Sequence, residues 1–154
     1  HTNTALDAVV RLIDLGIEPF MLSSSLVLSA AQRLVRVLCP SCKQPAKPDP
    51  QLLEICLREA MLPEKLNPTS VVFHEARGCP KCANTGYIGR KAIYEVYLIN
   101  AQMRDIIYKH GGDLTLLKEV AAKSGMWNLR SSGWRKVLAG ATTPEEVTSV
   151  TMSE

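Results

Sequence analysis

Cys39-Pro40-Ser41-Cys42 and Cys79-Pro80-Lys81-Cys82 are two Cys-x-x-Cys pairs separated by 36 residues. Each can form a tight knuckle with both sulfurs facing one ion, and the proline after each first cysteine limits φ and presets the turn. Two knuckles make a tetrahedral four-cysteine site, the closed coordination of structural zinc; iron fits the same sulfur set, as in a rubredoxin-like electron carrier. A closed set leaves no position for water or substrate, so the expected metal is structural and not catalytic. The spacing exceeds the roughly 15–20 residues of a simple ribbon, so a short helix is expected between the pairs. Cys56 has no partner in sequence and reads as a small buried hydrophobe. Lys43, Arg77 and Lys81 flank the ligands, where they can offset thiolate charge or face solvent.

Other chemistry is sparse. No Gly-x-x-x-x-Gly-Lys-Ser/Thr loop, Gly-x-Gly-x-x-Gly, Gly-x-Ser-x-Gly or His-Glu-x-x-His occurs. His74-Glu75 lacks the second histidine of a metal helix and reads as a surface feature. His110 suits a helix C-terminus. His1-Thr2-Asn3 stands directly before a helix start, where backbone N–H groups favour an anion. Arg33 and Arg36 sit late in an apolar stretch and either reach an acidic or phosphate partner or extend to solvent.

These residues need elements to hold them. Leu6, Val9, Val10, Ile13 and Ile17 recur at helical spacing, with Asn3 or Thr4 as cap and Gly16 as stop, predicting a helix over 4–15. Pro19 opens a second helix expected to run to about Leu38, apolar nearly all round. Prolines concentrate between residues 40 and 80, predicting a loop-rich segment whose exception is a short helix around Leu52–Met61. Lys91–Ile99 is rich in β-branched and aromatic residues and reads as a strand. The remainder is helical, broken at Gly111-Gly112, Gly125 and Gly140. It ends in a helix signalled by Thr143 as N-cap, Pro144 at N1 and Glu146 at N3.

Composition narrows the classes. The 154 residues are 46% hydrophobic and 21% charged, which is globular and not disordered. The charge of +3 spreads as about 0, +2 and +1 over 1–38, 39–90 and 91–154, with no polycationic segment of the kind that wraps nucleic acid. Aromatics at 5% give little for base stacking. A nucleic-acid-binding zinc ribbon nevertheless stays open as the alternative on the cysteines alone, and it predicts binding that falls steeply with salt. The uncharged run Pro19–Gln32 is too short for a bilayer and lacks the basic flank of a signal peptide. The expected compartment is therefore the cytosol, where cysteines are reduced and serve metals more than disulfides. A start at His1 instead of Met gives the expectation of a fragment or processed product.

Taken together, the segments resemble one family. They are His1-Thr2-Asn3-Thr4-Ala5, Gly16-Ile17-Glu18-Pro19-Phe20, Ala31-Gln32-Arg33-Leu34-Val35-Arg36, Cys39-Pro40-x-Cys42, Gly78-Cys79-x-x-Cys82 and Gly86-Tyr87-x-Gly89-Arg90-x-Ala92-Ile93-Tyr94-Glu95. In this order they closely resemble the bacterial secretion ATPases of type II secretion and type IV pilus assembly. The resemblance implies a hexameric cytoplasmic motor, peripheral at the inner membrane through platform partners, that uses ATP and Mg2+ to drive pilus or pseudopilus assembly. It implies that His1 is the histidine of the family's His box, near the nucleotide phosphates. Arg33 and Arg36 match its Gln-Arg-Leu-Val-Arg helix as nucleotide-proximal or interface residues. Cys39, Cys42, Cys79 and Cys82 match its zinc-binding tetracysteine motif. The expected fold is the α/β tail of a RecA-like core over 1–38, a zinc module over 39–90, and a strand plus helical C-terminal domain over 91–154. The P-loop, the Asp box and the Walker B carboxylate belong upstream of His1, so this piece is expected not to hydrolyse ATP alone.

Overall fold

A computed structural model describes residues 2–151. Helix α1 (Ala5–Asp14) begins at a reciprocal cap: the Asp7 amide donates to Thr4 Oγ1 at 3.1 Å, and the Thr4 amide to the Asp7 carboxylate at 3.0 Å. Leu6 and Val9 are its buried stripe, and Gly16 follows the last turn at φ +90. Helix α2 (Pro19–Ser25) opens on the predicted proline.

The helix expected through Leu38 ends at Ser25, and Leu28–Leu38 is a strand, β1. Two causes are visible. The hydroxyls of Ser23, Ser24 and Ser25 all turn back onto the carbonyls of Phe20 and Met21, competing with continued helix. Beyond them Ser29, Ala31, Arg33, Val35 and Val37 turn inward while the residues between them are exposed, a period of two. Arg33 and Arg36 therefore lie on opposite faces of a strand, where a helix would have placed them on one.

The remaining helices follow the sequence reading more closely, while two short strands occur in the stretch read as loops. After β1 come β2 (Gln44–Ala46), α3 (Pro50–Glu59), β3 (Phe73–Glu75), β4 (Tyr87–Leu98), α4 (Ala101–Lys109), α5 (Leu114–Lys123), α6 (Leu129–Leu138) and α7 (Pro144–Thr151). Strand β4 starts before Lys91, earlier than expected. It pairs with β1; the Ile99 amide donates to the Val27 carbonyl near one end and the Cys39 amide to the Gly86 carbonyl at the other, so the pairing is antiparallel. Strands β2 and β3 form a second antiparallel pair, with Pro45 opposite His74. Pro45 is tolerated because a two-stranded ribbon needs no amide donor on its outer side. The fold is mixed α/β, and no described helix is long and apolar enough to cross a membrane.

The chain forms two compact units. The first takes the residues up to Gln32 together with Tyr94–Asn128. Its core joins Leu6 and Val9 of α1, Leu22 of α2, Tyr97 and Ile99, Met103, Ile106 and Ile107 of α4, and Leu117 and Ala121 of α5. Arg104 donates to the Ser23 carbonyl and closes the end of α2. The second unit takes Arg33–Ile93 and the chain from Leu129. Its core gathers Cys56 and Ala60, Phe73, Trp134 and Val137 of α6, and Val147 of α7. Buried Trp134 donates its indole N–H to Glu59 at 2.9 Å.

Candidate metal centre

Cys39 directly follows β1, and Gly86 directly precedes β4, so the two cysteine pairs meet where these strands leave and re-enter the ladder. In the first knuckle the Cys42 and Lys43 amides both donate to the Cys39 carbonyl, at 3.2 and 2.9 Å. In the second, the Cys82 and Asn84 amides donate to the Cys79 carbonyl at 3.1 and 2.9 Å, with Ala83 and Asn84 left-handed. Gly78, at φ +105, is required here: a Cβ on it would sit 2.7 Å from the Asn84 carbonyl oxygen.

The four sulfurs lie within 4.8 Å of one another. Cys39–Cys79 and Cys42–Cys82 are 3.9 Å apart, and Cys79–Cys82 3.8 Å. A tetrahedral site with metal–sulfur bonds of about 2.3 Å has sulfur–sulfur edges of about 3.8 Å, so these residues fit a zinc-sized ion. All five cysteines are free thiols.

The backbone favours negative charge at one sulfur. The amides of Cys79 and Gly86 each donate to Cys82 Sγ at 3.2 Å. Burial works to raise the Cys82 pKa, but these donors and the neighbouring thiols outweigh it and bring the value down to about 6. Cys42 goes the other way, pushed up to about 11 by burial and the adjacent sulfurs against one backbone donor. A divalent ion held by all four would override this asymmetry, because each ligand binds as thiolate.

Cys56 stands apart, fully buried in the second core, where burial and the charge of Glu59 push its thiol up to about 12. Two of the flanking cations face protein groups: Lys43 donates to the Gly140 carbonyl at 2.8 Å, and Arg77 pairs with Glu75 and Gln44. His74 is half-buried, contrary to the surface reading. Its Nδ1 is enclosed without a hydrogen-bond partner beside Gly140, and burial and Lys43 lower its pKa.

The residues expected near nucleotide are placed differently from one another. His1 lies outside the described residues. Arg36 bonds the Glu146 carboxylate through Nε and Nη2 and lies 4.2 Å over the Tyr87 ring. Arg33 is on the other face of β1. Thr2 and Asn3 line an open cavity of about 500 Å3 whose charged groups are Asp7, Arg11 and Asp14.

Glu95 was not singled out by residue chemistry, although the alternation Ile93, Glu95, Tyr97, Ile99 puts an acid on the inward face of a strand. It is 1% exposed, accepts the Ala5 amide on one carboxylate oxygen, and faces the Tyr97 hydroxyl at 3.4 Å on the other. A carboxylate of the chain itself thus accepts the first amide of α1.

Comparison with known proteins places the chain in one family. The Type II/IV secretion system protein family matches residues 1–149. Type II secretion system protein E of Pseudomonas aeruginosa is 42% identical over 154 residues, covering 100% of this chain and 29% of that protein. Type II secretion system ATPase E of Vibrio cholerae is 42% identical over 151 residues, covering 98% and 28%. The type IV pilus assembly ATPase PilB of Thermus thermophilus is 40% identical over 153 residues, covering 99% and 16%. The chain spans less than a third of each of these relatives. With the match running through both cysteine pairs and both units, the chain belongs to the Type II/IV secretion system protein family.

Proposed function

We propose that this chain is the C-terminal part of a hexameric ATPase that powers protein secretion or pilus assembly. In this reading His1–Leu38 continue a RecA-like core, residues 39–90 form a zinc module, and residues 91–154 form a strand and helical end. Cys39, Cys42, Cys79 and Cys82 hold one structural Zn2+. The ion supplies a cross-link between two loops and no reaction step, since four thiolates leave no open position. ATP and Mg2+ bind the complete protein, with His1 near the phosphates and Arg33 and Arg36 at the nucleotide or a subunit contact. The parent works in the cytoplasm, peripheral to the bacterial inner membrane, where the zinc module offers a docking surface to a membrane-platform partner or a neighbouring subunit.

The observation that carries this reading is the convergence of four sulfurs at tetrahedral spacing in a chain of this family. Metal analysis of the purified chain tests it directly, with one zinc per chain expected. A protein without zinc, or a quadruple Cys→Ser variant that folds and binds its partners unchanged, would overturn the zinc module. For the ATPase, the chain alone should not turn over ATP, whereas the complete protein should, and His1→Ala should slow it.

A further inference from the structure

The two units of the chain differ in charge. Among the described residues the first carries seven carboxylates against five Lys and Arg, and the second thirteen Lys and Arg against seven carboxylates. Holding one dication on four thiolates takes two charges from the second unit and leaves it basic. In the first unit most carboxylates are engaged within the chain. Asp7 and Asp113 cap helices, Glu95 accepts the Ala5 amide, and Asp105 and Glu119 pair with Lys109 and Lys123. Asp14 and Glu18 have no such partner among the described residues. Both are exposed, and they stand on either side of the turn between α1 and α2. That turn is apolar and uncovered: Leu15 and Phe20 are each 66% exposed and Met21 61%, with exposed Ile17 among them. The Phe20 ring meets the exposed Tyr108 ring edge-on, with centroids 6.2 Å apart. No Lys or Arg occurs from Leu12 to Gln32. An apolar centre with aromatic rings inside a charged rim is the make-up of a protein–protein contact.

The complementary surface is the start of β4. A strand laid on a core alternates between buried and exposed, as β4 does from Ile93 onward. Ile88, Gly89, Arg90 and Lys91 are instead exposed in succession, so neither face of the strand is covered there. A Cβ on Gly89 would meet nothing within 4 Å. The side chains of Arg90 and Lys91 have no hydrogen bond or ion pair among the described residues, whereas Arg36, Arg58, Arg77 and Arg130 each reach a carboxylate. We infer that the partner of the α1–α2 turn is the start of β4 in a second copy of this chain. Ile88 meets the apolar centre, and Arg90 and Lys91 face Asp14 and Glu18. Because the two surfaces differ, the contact is head-to-tail and continues from copy to copy, closing a ring where the rotation allows. This rests on the hexamer reading given above and names the surfaces of this chain that meet in it.

Charge reversal in the complete protein, followed by sedimentation, tests the contact. Wild-type association should weaken as salt rises, since exposed charges are screened. Asp14→Lys with Glu18→Lys, and separately Arg90→Glu with Lys91→Glu, should each raise the concentration for half-assembly on the order of tenfold or more. Mixing the two variants should restore association, because the reversed turn then meets the reversed strand and native meets native. All four substitutions in one chain should restore it too. A variant that is merely destabilised would not be rescued in this way. Assembly of both variants at the wild-type level, or no rescue in the mixture and the fourfold variant, overturns the contact. Loss on the turn side alone assigns the turn to a different protein and overturns it as well. A wild-type protein that stays monomeric sinks the hexamer reading and this contact with it, whereas a ring indifferent to all four substitutions sinks the contact alone.

Discussion

Arg36 and Glu146, 110 positions apart in sequence, are joined by two guanidinium hydrogen bonds and by the Arg36 backbone amide, which donates to Glu146 Oε2 at 3.0 Å. Around them the Thr142 hydroxyl donates to the Arg36 carbonyl and the Tyr87 hydroxyl meets Thr143 at 3.2 Å. The start of α7 is thus fastened to β1 by side chains from three segments.

The pair should be measurable through its pH dependence. The hydrogen bond from Arg36 holds the Glu146 carboxyl below its ordinary range, against the opposing effect of burial. Because the folded value is depressed, its stabilisation is present above the unfolded carboxylate value of about 4.3 and is lost as pH falls through the folded value. With the arginine side chain 53% exposed, Glu146→Gln should cost only about 1 kcal/mol at pH 7. Chemical denaturation of wild type and variant, compared at each pH in one metal state, should show that difference shrinking below about pH 4. A difference independent of pH would contradict the assignment.

Thiol reactivity should separate Cys56 from the other four. With its thiol pushed up to about 12, Cys56 is thiolate in on the order of one molecule in ten thousand at pH 8, and it is also buried. In the zinc-loaded protein no cysteine should alkylate quickly. After chelation four should react, Cys82 first because its two backbone donors favour the thiolate, and Cys56 only on unfolding. Mass spectrometry of the labelled peptides gives the order.

Removal of the metal should loosen a defined set of amides. Those of Cys42, Lys43, Cys79, Cys82, Asn84 and Gly86 bond to knuckle carbonyls or to sulfur. Their hydrogen exchange should accelerate on chelation by about tenfold or more, since metal binding and local folding are linked. Amides within α1, α4 and α5, which belong to the first unit, should keep their rates.

Gly133→Ala should destabilise despite improving helix propensity. A Cβ there would lie 2.4 Å from Val147 Cγ1, and such overpacking costs about 1–3 kcal/mol, against a gain of about 1 kcal/mol for replacing a helical glycine. Adding Val147→Ala should recover part of the loss. Thermal unfolding of the two single variants and the double variant tests this; additivity would mean that α6 and α7 yield at that contact.

Where a signal was local, the sequence carried it. Asn3 or Thr4, Pro19, and Thr143 before Pro144 mark helix starts by side chains within four residues of the boundary. The cysteine pairs announce themselves by spacing. The stretch after Ser25 misled because Leu28, Ala30 and Leu34, on the exposed face of β1, are as apolar as Ala31 and Val35 on the other, so hydrophobicity concealed the period of two. The interleaving of both units along the chain, the partners of Arg36 and the burial of Glu95 against Ala5 depend on residues far apart in sequence, which no local pattern encodes. His74, placed at the surface by motif logic, is enclosed by Gly140 and Lys43, from distant loops.

The meeting of Cys39 and Gly86 has a mechanical consequence. Strands β1 and β4 are joined by everything from Cys39 to Gly86, and that long excursion is pinched shut at its base by the 2.9 Å amide-to-carbonyl bond and by the sulfur cluster. With a metal in place, tension pulled along the two strands meets a cross-link before it reaches β2, α3 or β3. The cross-link carries that load past the excursion, whose Cys56, Ala60 and Phe73 stay packed against Trp134, Val137 and Val147.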